Sequence, residues 1–169
     1  EKDLVIGTFG RAIYILDDIV ALRELANSTI DKWEKEKLIL FEIPDAYQAQ
    51  YSSPPGVLFS ANATFKGQNR SSSARLKVYY HQETEEGKEE KKAKGKLRVF
   101  NANGDTIRTM KIELANGINN LGWGLSAKRN RFANEKKPKE GEEYGGRPIL
   151  PGIYTIEIEC DSIKSLQKI

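Results

Sequence analysis

Five stretches of this chain alternate apolar and polar side chains with a period of two. That rhythm fits a pleated strand with one buried and one wet face. In residues 75–81, Leu76, Val78 and Tyr80 share one side, and Lys77, Tyr79 and His81 the other. Residues 96–114 form two such runs around Asn103-Gly104-Asp105, a strong short-hairpin signal. Leu121, Trp123 and Leu125 fall on one side of the next run, where Gly122 and Gly124 either give the indole room or mark a bulge. Finally, Tyr154, Ile156, Ile158 and Cys160 oppose Thr155, Glu157 and Glu159. Strands at this turn-punctuated spacing predict a mainly β chain folded as an antiparallel β-sandwich, with Trp123 in its core.

The N-terminal part follows a different pattern. Leu4–Ile6 and Ala12–Leu16 are apolar runs separated by Gly7 to Gly10, which predicts a β-hairpin. A chain opening on a hydrophobic strand reads as a piece of a longer protein. The unpaired edges of such a hairpin recruit other strands. Residues 4–16 are therefore expected either to pack on the sandwich or to self-associate. Asp17 and Asp18 precede Ile19, Leu22 and Ala26 at helical spacing, with Leu25 beside them, so residues 18–26 are predicted to be a short helix with an aspartate cap. Residues 27–37, which include Trp33, read as a connector. The apolar run 38–43 stops at Pro44, and Pro54-Pro55-Gly56 marks a loop. The expected organisation is thus a strand pair in 1–17, a helix and linker in 18–45, and the sandwich in 46–169.

Composition narrows the function classes. Among 169 residues, 27 basic and 24 acidic side chains leave a net charge of +3, too balanced to indicate nucleic acid. No apolar run reaches the roughly 18 residues of a membrane helix. A single cysteine excludes an internal disulfide framework and a cysteine-cluster metal site, and a single histidine excludes a His-rich centre, so no cofactor or metal is expected. Residues 83–96 hold five Glu and five Lys, and residues 127–147 hold seven basic and four acidic residues. Both read as long surface loops, with 84–95 and 133–145 burying almost nothing.

No catalytic constellation emerges. The carboxylates cluster in the helix cap and the charged loops, where they are not held at the fixed separation that glycoside hydrolysis requires. His81 lies on a strand without triad partners. Cys160 belongs to an apolar strand face and reads as a small buried hydrophobe. Neither a G-x-S-x-G elbow nor a phosphate-binding glycine loop occurs. The remaining class of site is a carbohydrate-stacking surface. Tyr79, Tyr144 and Trp33 are its candidate residues, with Tyr47 and Tyr51 as further aromatics.

Several segments together resemble a known family. DLVIGTFGRAIYILDDIVALREL resembles the closing segment of bacterial β-propeller proteins of the BNR-repeat and sortilin-like kind. Gly7, Gly10, Arg11, Leu16, Asp17 and Asp18 match. Phe9 stands where the family has His, and Ala12-Ile13-Tyr14 where it has Gly and an aromatic. LILFEIPDAYQ and FKGQNRSSSARLKVYY are similar to its following segments, with Arg70-Ser71 after Asn69 in place of Pro-Pro. The stretch from KLRVFNANGDTIRTMKIEL to LPGIYTIEI resembles the immunoglobulin-like module found after such propellers and in flagellar hook-capping proteins, with Gly124 where many members have Asp. The Asp-box repeats that mark sialidase-type propellers are absent from the sequence.

The resemblance implies that residues 1–17 are the terminal strands of a propeller and that 46–169 are an immunoglobulin-like sandwich. It implies a non-catalytic accessory module of an exported protein, periplasmic, outer-membrane-associated or extracellular, that caps the propeller or mediates docking. Its partner would be the parent's own propeller, with a carbohydrate or cell-surface component as a second. Any glycosyl hydrolase activity would reside in the propeller. The alternative implied is a carbohydrate-binding module of a glycoside hydrolase. Neither nucleic acid nor a membrane span is implied.

Overall fold

The computed structural model describes residues 2–10, 12–28, 35–48, 71–83, 92–135 and 143–169. Its elements, in chain order, are β1 (Leu4–Gly7), β2 (Ile13–Leu16), α1 (Val20–Asn27), β3 (Leu38–Leu40), β4 (Ala74–Tyr80), β5 (Ala93–Phe100), β6 (Thr106–Leu114), β7 (Gly117–Trp123), β8 (Ser126–Lys128), β9 (Gly145–Pro148), β10 (Thr155–Cys160) and β11 (Ile163–Lys168). The fold is mainly β, and every strand pair is antiparallel.

Two sheets form the body, one ordered β11-β10-β5-β6 and the other β3-β4-β7. The alternation sets which faces meet. Leu97, Val99, Ile112, Leu114, Ile156 and Ile158 of the larger sheet form one buried cluster with Leu38, Leu40, Leu76, Val78, Tyr80 and Trp123 of the smaller. This is the face-to-face packing of a sandwich. Trp123 is 1% exposed, as its position predicts. The Asn103-Gly104-Asp105 hairpin is present between β5 and β6. The Asn101 carbonyl accepts from Gly104 N–H at 3.0 Å, and Gly104 adopts a φ of 86° that favours glycine.

Several boundaries differ from expectation. The run 38–43 is not linker, because β3 pairs with β4 and Leu38, Leu40 and Ile43 lie in the core. Residues 93–96 belong to β5 rather than to a charged loop, since Gly95 and Ala93 pair with Ile112 and Leu114. The other charged stretch is closed at its base by β8 and β9, with Lys128 opposite Gly145. Residues 84–91 and 136–142 of these two stretches lie outside the described residues. A further strand, β11, follows β10 through Asp161 and Ser162, both left-handed at φ 49° and 66°. That is the backbone of a tight two-residue hairpin turn, built here without the Asn-Gly that usually signals it.

The helix starts at Val20, two residues later than predicted. The expected aspartate cap is not formed, because Ile19 occupies the cap position without a side-chain cap bond. Asp18, one residue earlier, accepts Val20 N–H on Oδ1 at 3.3 Å, and its own backbone is left-handed at φ 55°. The buried face is Ala21 with Leu25, against Phe41 and Tyr79, rather than the Ile19–Leu22–Ala26 stripe. Leu22 is 48% exposed. Glu157, expected on the wet face, is 8% exposed because Arg98 and Lys164 cover it. No helix among the described residues is long and apolar enough to cross a membrane.

Candidate functional site

Among the described residues, the N-terminal hairpin carries the longest run of exposed apolar side chains. The register pairs Leu4 with Leu16, Val5 with Ile15, Ile6 with Tyr14 and Gly7 with Ile13. Because alternate residues face opposite ways, Leu4, Ile6, Tyr14 and Leu16 line one face, and Val5, Ile13 and Ile15 the other. Both faces are thus apolar, and every strand residue is exposed. Thr8 closes the turn. Its hydroxyl donates to the Ala12 carbonyl at 2.7 Å and accepts Ala12 N–H at 2.9 Å, and Phe9 projects fully into solvent. The hairpin therefore does not pack its faces on the sandwich.

Its base, in contrast, is fastened. Ile19 N–H donates to the Lys2 carbonyl at 2.6 Å, and Asp18 N–H to Asp3 Oδ1 at 2.9 Å. Lys2 Nζ pairs with Glu42 at 2.7 Å, which holds the Lys2 ammonium above its ordinary pKa. From β4, Lys77 Nζ donates to the Asp18 carbonyl, and Arg75 pairs with Asp17 at 3.6 Å. The outward cations of β4 thus hold the carbonyls and carboxylates at the junction between β2 and α1.

The proposed stacking residues are dispersed. Tyr79 points outward from β4, as its register predicts, but packs beside Ala21, Leu25, Ile39 and Phe41 in a small second core. It is a packing residue rather than a platform. Tyr144 is exposed, yet the Arg129 guanidinium lies over its ring, 5.4 Å from the centroid, and 5.9 Å from that of Phe132. Glu135 fixes that guanidinium at 2.8 Å. Trp33 and Tyr51 lie outside the described residues.

Tyr47, by contrast, stands 77% exposed at the mouth of a cleft of about 450 Å³ at one end of the sandwich. Asp45, Gln48, Trp123, Leu150 and Tyr154 also line it. Trp123 and Tyr154 meet edge to face, with centroids 5.7 Å apart. Three of the side-chain donors here are already engaged. Gln48 Nε2 donates to the Ile149 carbonyl at 2.8 Å, Tyr154 O–H to the Leu150 carbonyl at 2.6 Å, and Trp123 Nε1–H to the Ser126 carbonyl at 3.1 Å. Only the Tyr47 aromatic was legible as a candidate here. Asp45 and Gln48 stand in a short non-periodic stretch that carries no signal.

The perturbed ionisable groups serve the fold. Arg98 reaches both Glu157 and Glu159, and its hydrogen bond holds the Glu159 carboxyl below its ordinary range. Tyr80 donates to Asp161 Oδ2 at 2.6 Å, and burial, reinforced by that bond, pushes its phenol up. Burial also pushes up the Cys160 thiol. His81 is half-buried at the end of β4, where its N–H donates to the Lys37 carbonyl. A second cleft of about 400 Å³ beside Gly95 is lined by Lys94, Lys96 and Lys111 against Glu113, Glu159 and Asp161, a balanced set of charges. Among the described residues, no group of three His, Cys, Asp or Glu could hold a metal ion. No family model, curated protein or solved structure matches the chain.

Proposed function

We propose that this chain is a non-catalytic accessory module of an exported β-propeller protein of the BNR-repeat, sortilin-like kind, and that β1–β2 docks it to the propeller. The sandwich, on this reading, is an immunoglobulin-like module. The carrying observation is the hairpin that is apolar on both faces. A ribbon whose two faces are both apolar belongs between two layers, as in a sheet covered on both sides. A propeller blade meets that description, because each blade packs its faces against its neighbours. The fastened base supports the same reading, since Lys2, Asp3, Asp17 and Asp18 would set the angle between the sandwich and the docked ribbon. The non-catalytic assignment is supported by how the perturbed groups are spent: Arg98, Glu157 and Glu159 on each other, Tyr80 on Asp161, and Cys160 inside the core.

The test is to read the coding frame upstream of Glu1 and express the longer protein beside the present chain. Propeller repeats upstream are expected, together with slower amide exchange at residues 4–7 and 13–16 in the longer protein. A frame without such repeats, or hairpin amides that exchange equally fast in both proteins, would refute the assignment.

A further inference from the structure

The end cleft carries a separate inference, independent of the hairpin. The geometry points to a binding site for a neutral hexopyranose oligosaccharide, with Tyr47 as the stacking platform and Asp45 and Gln48 as hydroxyl acceptors. The argument starts from what the cleft can still offer. Three of its side-chain donors are engaged, one Gln48 amide hydrogen on Ile149, the Tyr154 hydroxyl on Leu150 and the Trp123 indole on Ser126, which leaves the second Gln48 amide hydrogen and the Tyr47 hydroxyl. Most of the remaining side-chain capacity is acceptor capacity: the Asp45 carboxylate, the Gln48 carbonyl oxygen and the Tyr154 phenol oxygen. This surplus of acceptors favours a ligand that brings several donors.

The walls are apolar and aromatic, with Tyr47, Leu150, Pro151 and Tyr154. The ligand must also present an apolar surface beside those donors. A pyranose does both, because its axial C–H bonds make one apolar face and its hydroxyls project around the rim. The carboxylate of Asp45 disfavours acidic sugars by like-charge repulsion. At about 450 Å³ the cleft lies within the range of small-ligand sites and exceeds one hexose, which favours a short oligosaccharide. Tyr47 supplies its ring without reorganisation, since it is already 77% exposed.

The test is a two-dimensional amide NMR titration of the whole chain with cellotetraose, mannotetraose and galactotetraose at millimolar concentration. At least one should give saturable shifts at the Trp123 indole N–H and the Gln48 and Leu150 amides. Tyr47→Ala should weaken that binding by about tenfold or more, as loss of a central aromatic contact does. Tyr47→Phe should retain it, and Tyr144→Ala, remote from the cleft, should leave it unchanged. Because Tyr47 is exposed, these variants remain folded, and their melting temperatures check this. The assignment is overturned by absence of saturable shifts with all three sugars, by shifts that survive Tyr47→Ala, or by shifts produced by tetramethylammonium and by none of the sugars. None of these outcomes bears on residues 4–16, so the docking reading stands or falls separately.

Discussion

Trp123 combines three roles in one side chain: it fills the sandwich core, caps the loop after β7 through Ser126, and walls the end cleft. Removing the ring leaves a cavity that a two-sheet core cannot collapse, so Trp123→Ala should cost about 3–5 kcal/mol. That is a large share of the roughly 5–15 kcal/mol that holds a domain together, and chemical denaturation should show a partly unfolded protein. Of the two neighbouring glycines, Gly122 is crowded, a Cβ there lying 3.1 Å from Ser73 Oγ, and Gly124 is not. A methyl group on Gly124 meets nothing within 4 Å, so Gly124→Ala should change stability by no more than about 0.5 kcal/mol. Gly95, in contrast, is crowded by backbone, because a Cβ there would lie 2.7 Å from the Glu159 carbonyl across the β5–β10 ladder. Backbone cannot rotate away as a side chain can, so Gly95→Ala should lose about 1–3 kcal/mol in the same assay. Glu159 sets part of the acid limb. Its carboxyl is depressed in the folded state, chiefly by Arg98, so as pH falls the unfolded chain takes up that proton first. Its contribution is complete above the ordinary carboxylate value of about 4.3 and is lost as pH drops through the lower folded value. Glu159→Gln should flatten the fall in melting temperature below that pH, and an acid limb of unchanged steepness would contradict this account.

At the scale of elements, strands buried on one face were legible and strands that close edges were not. β4, β5, β6, β7 and β10 announce themselves because one face is in the core and alternation records it. β3 carries three residues that are apolar throughout, so its run does not alternate. β8 and β9 are short and mostly exposed, and their role is to cover the rim of β6, where Glu143 accepts Thr109 N–H at 2.8 Å. β11 is half-polar, and its turn uses Asp161-Ser162, where Asp161 also receives the buried Tyr80 hydroxyl. The free edge of β3 is satisfied from the opposite sheet by side chains of β11. Ser165 Oγ accepts Leu40 N–H at 2.9 Å, and Gln167 Nε2 donates to the Leu40 carbonyl at 3.2 Å. Such pairings are invisible in a sequence because they join positions 125 and 127 residues apart. Each hydrogen bond contributes about 0.5–1.5 kcal/mol, so Ser165→Ala with Gln167→Ala should lower stability by the sum of two such bonds. The loss should be accompanied by faster amide exchange at Leu40 in particular, whereas uniform acceleration across the sandwich would mean that the two side chains do not act on this edge.

For the whole molecule, the hairpin is the part whose structure the chain's own interior does not explain. Its existence was legible from two apolar runs around glycine, and its double-sided exposure follows from pairing runs that contain hardly any polar residue. A two-stranded ribbon alone is marginal in water, and here every strand residue is exposed, so burial of its faces adds little. What orders it is the junction with the sandwich, where Lys2, Asp3, Asp17 and Asp18 are held. The ribbon thus presents Val5, Ile13 and Ile15 on one side and Leu4, Ile6, Tyr14 and Leu16 on the other, and among the described residues no further strand pairs with either edge. In isolation the nearest partner of matching chemistry is a second copy of the same ribbon, which can add to an open edge and cover one apolar face at once. Light scattering of the chain should therefore show mass rising with protein concentration. Deleting residues 1–17 removes the ribbon and only the outermost polar contacts of the sandwich, leaving β3 to β11 and the core intact. The shortened chain should be monomeric over the same range and should melt cooperatively within a few degrees of the full chain. If both forms are monomeric at the highest concentration reached, the ribbon is not adhesive. If both associate alike, the contact surface lies on the sandwich and the ribbon has no part in it.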